Sequence, residues 1–338
     1  MRILHTILSS GFAGTERATA EMCNALCDGH EVMLVVRRGH RGHGGASIID
    51  HLDPRVQVRE VGNWFPGPRL SRAVREFRPE VIHTHLRKST RLVARRRPPC
   101  PTIATLHMWV NGPHFLQMDG LIVIAQWQKR DLAKYRGRIF DINESLVPHP
   151  RLLPERIAEL RAAAGAAPGE LLIGGVGRLA RSKGFDVLIR AFREAALPRA
   201  RLVLVGEGRE RGELEALARG LPVRFLGFRS DAKDLYQAFD LFVSPSRSEP
   251  LGRVLFEALD AGTPVLATQT QGPSEILAHH PGRLTPVEDA AAMAAALREF
   301  AAAPPPRRTC DLSAYHLENV LRETVAAYRE LAGPLRQP

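Results

Sequence analysis

The sequence has no C-x-x-C pair, no run of 18 or more apolar residues, no G-x-x-x-x-G-K-[ST] and only 6% aromatic residues. Each absence removes a class of protein. The four cysteines, Cys23, Cys27, Cys100 and Cys310, show no redox or paired metal-ligand spacing. Cys23 and Cys27 stand i,i+4 on an expected helix. They form at most half a metal site, and two small buried hydrophobes are the simpler reading. Without a long apolar run, no membrane-spanning helix is expected. The opening "MRILHTILSSGFAGTERA" lacks the layout of a signal peptide, so the expected location is the cytoplasm. The missing phosphate loop excludes the P-loop NTPases. The low aromatic content, with no helix-turn-helix or finger signature, argues against a nucleic-acid partner despite a pI near 10.2.

What is present suits a globular α/β protein. With 338 residues, 44% hydrophobic and 25% charged, the chain is long enough for two domains. The net charge of +11 is unevenly placed. Residues 1–150 hold 22 Lys and Arg against 13 Asp and Glu, a balance of +9, which leaves +2 for the rest. A positive field confined to the first half suits an anionic partner such as phospholipid headgroups, an anionic glycolipid or nucleic acid.

Short apolar runs at 2–8, 30–36, 56–61, 80–85, 102–107 and 120–125 predict strands buried on both faces. Helical patterns at 15–27, 68–78, 87–95 and 126–135 fall between several of them, which predicts a parallel sheet. Prolines in "SLVPHPRLLP" (145–154) mark a linker, and a helical stretch follows at 154–164. The alternation restarts with strands at 171–177, 200–206, 223–227, 240–246 and 263–268, and helices at 184–195 and 209–219. A second linker, "AAAPPPRR" (301–308), precedes a final helix with Leu317, Val320, Leu321, Val325, Tyr328 and Leu331 on one stripe. The expectation is two doubly wound domains, 1–148 and 149–314, with the final segment 315–338 packing back on the first. Ligands of such sheets bind at strand carboxyl ends, so the expected site is the cleft between the domains.

Two constellations carry chemistry. In "VGRLARSKGFDVLIRAF" (176–192), Arg178 and Lys183 follow a strand end, placed to meet a diphosphate. Two solvated loop cations are the alternative. In "SEPLGRVLFEAL" (248–259), Glu249 stands in a loop and Glu257 in the second turn of a helix that starts near Gly252. The helix start between them offers free N–H groups to phosphate, and carboxylates beside it would accept from sugar hydroxyls. The alternative is a loop acid and an Arg253–Glu257 surface pair.

"GRLARSKGFDVLIRAF", "LVGEGRERGELEAL", "VRFLGFRSDAKDLYQAFDLFVSPSRSEPLGRVLFEALDAGTPVLAT" and "GPSEI", in that order, resemble the retaining nucleotide-sugar glycosyltransferases of glycosyltransferase family 4. The resemblance is strong over 172–276 and weaker over almost the whole chain. It implies the GT-B fold of two Rossmann-like domains, the first binding the acceptor and the second the nucleotide-sugar donor. It gives Arg178 and Lys183 to the donor diphosphate, Glu257 to the ribose hydroxyls and Glu249 to the transferred sugar. Leu251, Gly252 and Arg253 match the loop whose backbone approaches phosphate and sugar. The "FLGF" loop, with Phe225, Gly227 and Phe228, matches the border of the base. In the first domain, "SGFAGTER" resembles a Gly-rich loop with Gly14 in the key place, although the commoner form has paired glycines. "TIATLH" resembles the strand ending in the active-site histidine, here His107. His83 and His85 end another strand and suit either ligand contact or structure. "IAQWQKRDL" resembles a segment that normally begins with Ser, where this chain has Ala125 and Gln126.

The implied reaction moves a sugar from a nucleotide diphosphate, by default UDP, to a hydroxyl of a glycan or glycolipid with retention of configuration. No D-x-D occurs in the chain. A metal-free mechanism is therefore expected, with Arg178, Lys183 and the helix start stabilising the leaving diphosphate. Front-face departure is the family's favoured route, and Glu249 is the one obvious acid nearby. No cofactor is expected. Arg69, Arg72, Arg75 and Arg78, then Arg87, Lys88, Arg91, Arg95, Arg96 and Arg97, lie beside Trp64 and Phe65. They suggest peripheral contact with an anionic membrane face, and a solvated basic surface is the alternative. Family analogy points to bacterial envelope glycan assembly, lipopolysaccharide core included. A GT-B nucleotide-sugar epimerase is the nearest rival reading, and a basic nucleic-acid-binding protein a remoter one.

Overall fold

The computed structural model describes residues 1–42 and 45–333. The chain divides into two compact units, one of residues 1–147 with 313 onward and one of Pro148–Leu312.

The first unit is built on seven parallel strands: β1 (Arg2–Ile7), β2 (Glu31–Arg37), β3 (Gln57–Val61), β4 (Val81–His85), β5 (Thr102–Leu106), β6 (Gly120–Val123) and β7 (Arg138–Asp141). Their order is β3-β2-β1-β4-β5-β6-β7. The order reverses between β1 and β4, a switch point of the kind that opens a crevice at strand carboxyl ends. Helices α1 (Gly14–Leu26), α2 (Pro66–Phe77) and α3 (Leu86–Arg96) form crossovers.

Strand alternation sorts the side chains. Leu4, Met33, Val35 and Ile82 face one side and pack with Leu70, Ala73, Val74 and Phe77 of α2 and Val93 of α3. Each of these side chains larger than alanine contributes about 1.5–3 kcal/mol when fully buried. The helical repeat that buries those four positions of α2 leaves Arg69, Arg72 and Arg75 exposed. His5, His83 and His85 take the other side of the sheet, with His5 in register opposite His83.

The second unit contains α4 (Pro154–Ala163), β8 (Leu171–Val176), α5 (Phe185–Ala195), β9 (Ala200–Val205), α6 (Arg211–Leu217), β10 (Val223–Gly227), α7 (Ala232–Ala238) and β11 (Leu241–Ser244). It continues with α8 (Arg253–Asp260), β12 (Val265–Thr268), α9 (Gln271–Ile276), β13 (Arg283–Thr285) and α10 (Ala290–Ala302). The parallel strand order is β10-β9-β8-β11-β12-β13, with its reversal between β8 and β11. Helix α11 (Leu317–Ala332) belongs to the first unit and packs on α1 and β4, burying Val320, Val325 and Tyr328. Of the expected final segment, residues 334–338 lie outside the described residues.

Every strand expected from an apolar run is present; 223–227 keeps its bounds, and the others are shifted or trimmed by one or two residues at one or both ends. β7 and β13 were not expected, because "RIFD" and "RLT" are edge strands without a buried run. The segment 126–135 is a 3-10 helix over Gln126–Leu132 rather than an α-helix. The alanine-rich α10 and the seven-residue α7 carried no helical signal that the sequence reading used. No helix among the described residues is long and apolar enough to cross a membrane.

Candidate active site

In the second unit, the loops after β8 and β11 are locked together. Arg181–Lys183 forms a 3-10 turn, and Gly184 follows at φ 65 before α5 begins. A Cβ on Gly184 would lie 2.0 Å from the carbonyl oxygen of Pro245, so only glycine lets the loops meet here. The Arg247 N–H donates to the Ser182 carbonyl at 2.8 Å. The Arg247 guanidinium grips Asp186 with two hydrogen bonds, of 2.7 and 2.9 Å, and reaches Glu288 at 2.6 Å. Its bonds to Arg247, chiefly, hold the Asp186 carboxyl below its usual pKa.

This clamp presents Glu249. Its side chain is buried and accepts from Ser246 Oγ at 3.1 Å and from the Lys183 ammonium, with which it forms an ion pair. The Glu249 carbonyl accepts from the Gly272 N–H at 2.9 Å, which ties the loop to the start of α9. Leu251 is buried, and Gly252, at φ 95, caps α8 and leaves its first N–H groups behind the loop. Arg253 opens α8. Glu257 lies one turn on, half-buried, and its carboxylate accepts from the hydroxyl of fully buried Tyr236 at 3.0 Å. The expected Lys183, Glu249, Leu251 and Gly252 thus meet in one construction. Arg178 stands on the loop after β8, exposed and without a side-chain partner among the described residues.

The "FLGF" loop splits by role. Phe225 packs against the core, whereas Phe228 is exposed. A register shift between Phe225 and Gly227 in the β10–β9 pairing marks an irregularity that redirects the chain at this point.

In the first unit, Gly14 is the first residue of α1, exposed and with helical backbone. The left-handed residue of its loop is Gly11, at φ 86. His107 ends β5 with both ring nitrogens engaged: Nε2 is 3.1 Å from His85 Nδ1, and Nδ1 is 3.3 Å from a Glu144 carboxylate oxygen. His85 and His83 are buried and bond within the unit.

Sequence reading missed Gln128. It is buried, its Oε1 accepts from the N–H groups of Ile124 and Ala125, and its amide donates to the carbonyls of Leu106 and Met108. Those carbonyls flank His107, so Gln128 joins the ends of β5 and β6. The departure at Ala125 and Gln126 had drawn attention to this segment without locating the residue that does the bonding. Ser246, Tyr236, Asp186 and Glu144 were also missed, since none has a local motif to mark it.

Cys23 is buried and Cys27 half-buried; both are free thiols whose pKa is raised, first by burial.

The sequence profile described as "Glycosyl transferases group 1" matches residues 156–316, and that described as "Glycosyltransferase Family 4" matches residues 12–141. The chain is 30% identical over 315 residues to the lipopolysaccharide core biosynthesis glycosyltransferase LpsD of Rhizobium meliloti, covering 89% of this chain and 88% of that protein. It is 27% identical over 294 residues to a GDP-mannose-dependent alpha-mannosyltransferase of Mycobacterium tuberculosis, covering 77% and 76%. The fold matches that of Anabaena Alr3699/HepE, solved in complex with UDP and glucose, at a TM-score of 0.81 and 21% identity over 97% of this chain and 99% of that one.

Proposed function

Since the chain belongs to the group 1 glycosyltransferases and has the GT-B fold, we propose that it is a retaining enzyme that moves a sugar from a UDP-sugar to a hydroxyl of a glycolipid. The observation that carries the donor assignment is the Lys183–Glu249–Ser246 cluster set against the start of α8. Lys183 and Arg178 engage the diphosphate, with the positive dipole end of α8 behind Gly252. Glu257, oriented by Tyr236, accepts from the ribose hydroxyls, and Glu249 accepts from hydroxyls of the transferred sugar. The loop of Phe225, Gly227 and Phe228 borders the base.

The chemical step follows from the charges. Breaking the glycosidic bond puts negative charge on the leaving diphosphate. Fixed cations and N–H dipoles stabilise that charge without rearranging. These groups take the place of a metal, and the chain has no D-x-D to hold one. The leaving phosphate accepts the acceptor's proton on the face it departs from, which preserves configuration. UDP is favoured by the UDP-bound HepE structure. LpsD supports lipopolysaccharide core assembly as the setting. The first unit carries the acceptor, with Gly14 and His107 as its contributions.

The same unit is proposed to dock on an anionic membrane face. Trp64 and Phe65 are 90% and 82% exposed just before α2. Arg69, Arg72, Arg75 and Arg78 are exposed beside them, as are Arg87, Lys88, Arg91, Arg95, Arg96 and Arg97 on and after α3. Aromatic rings at the interface and cations at the headgroups suit such a surface.

The test is calorimetric binding of UDP-, GDP- and ADP-sugars, followed by transfer of labelled sugar to a lipopolysaccharide-core acceptor. UDP-sugar binding and transfer are expected. Epimerised donor formed without any acceptor would overturn the transferase reading. Acidic liposomes should co-sediment the protein at low salt, and their failure to do so removes the membrane assignment.

A further inference from the structure

The first unit contains a hydrogen-bond chain of seven side chains from four elements and the loops that follow β5 and β7. Glu144 Oε2 lies 3.3 Å from His107 Nδ1, and His107 Nε2 lies 3.1 Å from His85 Nδ1. His85 Nε2 is 3.0 Å from His5 Nδ1, and His5 Nε2 is 3.4 Å from the Tyr328 hydroxyl. That hydroxyl is 2.6 Å from His83 Nδ1, and His83 Nε2 is 2.7 Å from Thr105 Oγ1. His5, His83, His85, Thr105 and Tyr328 are all buried.

With all four rings neutral, the protons in this chain have one consistent arrangement. A carboxylate only accepts, and a neutral imidazole donates once and accepts once. Glu144 therefore takes the Nδ1–H of His107. His107 Nε2 takes the Nδ1–H of His85, and His85 Nε2 takes the Nδ1–H of His5. Tyr328 donates to His5 Nε2 and accepts from His83 Nδ1–H, and the Thr105 hydroxyl donates to His83 Nε2. Every hydrogen-bonding site on the four rings is used. Burial, first, keeps His5, His83 and His85 neutral.

We propose that this chain sets the tautomer of His107, with Nδ1–H directed to Glu144 and Nε2 closed by His85, so that His85, His5, Tyr328 and Glu144 are positioning residues for the end of β5. His107 then has a fixed ring orientation, with both ring nitrogens engaged. Gln128 fixes the backbone on both sides of the same residue.

A different reading of the cluster is a metal site, because nitrogens of His5, His83 and His85 lie within 4.8 Å of one another. The hydrogen bonds argue against it. A metal needs one free lone pair from each ring, and each lone pair already accepts a proton.

The effect on turnover rests on the proposed place of His107 in the acceptor unit; the tautomer does not. The test is long-range proton–nitrogen correlation NMR on the full chain with 15N-histidine, comparing His85→Gln with His85→Leu. A glutamine amide can both accept from His5 and donate to His107, whereas leucine can do neither. The expected result is Nδ1–H at His107 in the wild type and in His85→Gln, and Nε2–H or a mixture in His85→Leu. Turnover should fall on the order of tenfold to a hundredfold in His85→Leu with donor KM within twofold, and recover in His85→Gln. An Nε2–H tautomer in the wild type overturns the proposal, as does a His107 signal unchanged in His85→Leu. Equimolar zinc retained through dialysis by the wild type and lost in His83→Gln would also overturn it. If the tautomers are as stated and no nucleotide sugar is turned over, the transferase reading fails and the chain stands.

Discussion

The hydroxyl of Tyr236, fully buried in α7, donates to the carboxylate of Glu257 on α8 at 3.0 Å. A carboxylate on a helix can swing about several torsions, and this bond fixes which oxygen faces outward. Tyr236→Phe keeps the ring and removes the bond. A hydrogen bond to a charged group is worth about 1.5–3 kcal/mol. Part of that cost should appear in donor binding, with donor KM raised about threefold to tenfold and kcat little changed. Glu257→Ala should weaken every accepted donor further. Calorimetry with the cognate nucleotide alone checks both, and unaltered affinity in Glu257→Ala would show that the ribose role is misplaced.

Lys183 and Glu249 form an ion pair, and Ser246 also bonds the acid. Glu249→Gln keeps the size and the Ser246 bond but removes the charge. Lys183 then meets the diphosphate without a competing anion. UDP alone should bind several-fold tighter, while sugar transfer should drop on the order of a hundredfold. Lys183→Ala should weaken UDP. Weaker UDP binding in Glu249→Gln would mean that the acid supports the diphosphate site instead of facing the sugar.

Arg247 and Asp186 form the two-bond clamp that carries Glu249. Both side chains are largely buried, at 17% and 22% exposed. Removing one partner strands the other, so Arg247→Ala should destabilise the second unit by about 1–3 kcal/mol. It should also raise donor KM. Urea unfolding reads the first effect. A variant of wild-type stability and wild-type KM would show that the clamp positions nothing.

His5, His83 and His85 predict acid sensitivity. Burial lowers the His5 pKa from 6.5 to about 3 and pushes His83 and His85 well down from the same value. The groups facing them are one another, His107 and Tyr328, with Glu144 behind His107. Below about pH 6.5 the unfolded chain binds protons at these three positions and the folded chain does not. Stability is therefore full above that pH and falls as pH drops toward the folded values, by about 1.4 kcal/mol per pH unit for each histidine. Urea midpoints should decline steeply from pH 7.5 to pH 5, and His5→Gln should flatten the slope. Equal midpoints at both ends of that range would contradict a buried neutral cluster.

Periodicity and punctuation were enough to locate most elements. Continuous apolar runs marked the strands covered on both faces, and the prolines of 145–154 and 301–308 marked the breaks. Motif order led to the family and, through it, to Lys183, Glu249, Gly252 and Glu257. These are local signals, because a strand end, a glycine and a helix start must follow one another along the chain. The strands β7 and β13 were illegible because they are only four and three residues long, and neither carries a buried run.

The partners of the site residues were a matter of tertiary structure alone. Tyr236 reaches Glu257 from another helix, Ser246 and Lys183 converge on Glu249 from two loops, and Gln128 spans two strand ends. The histidine chain joins β1, β4, β5, the loop after β7 and α11, with positions as far apart as 5 and 328. Alternation on β4 placed His83 and His85 on one face, which could be read from "IHTH". That the same face would meet His5, Tyr328 and Thr105 depended on strand order and on the return of α11. A hydrogen bond needs its partners within about 3 Å, and sequence spacing carries no such distance once the chain has crossed the sheet.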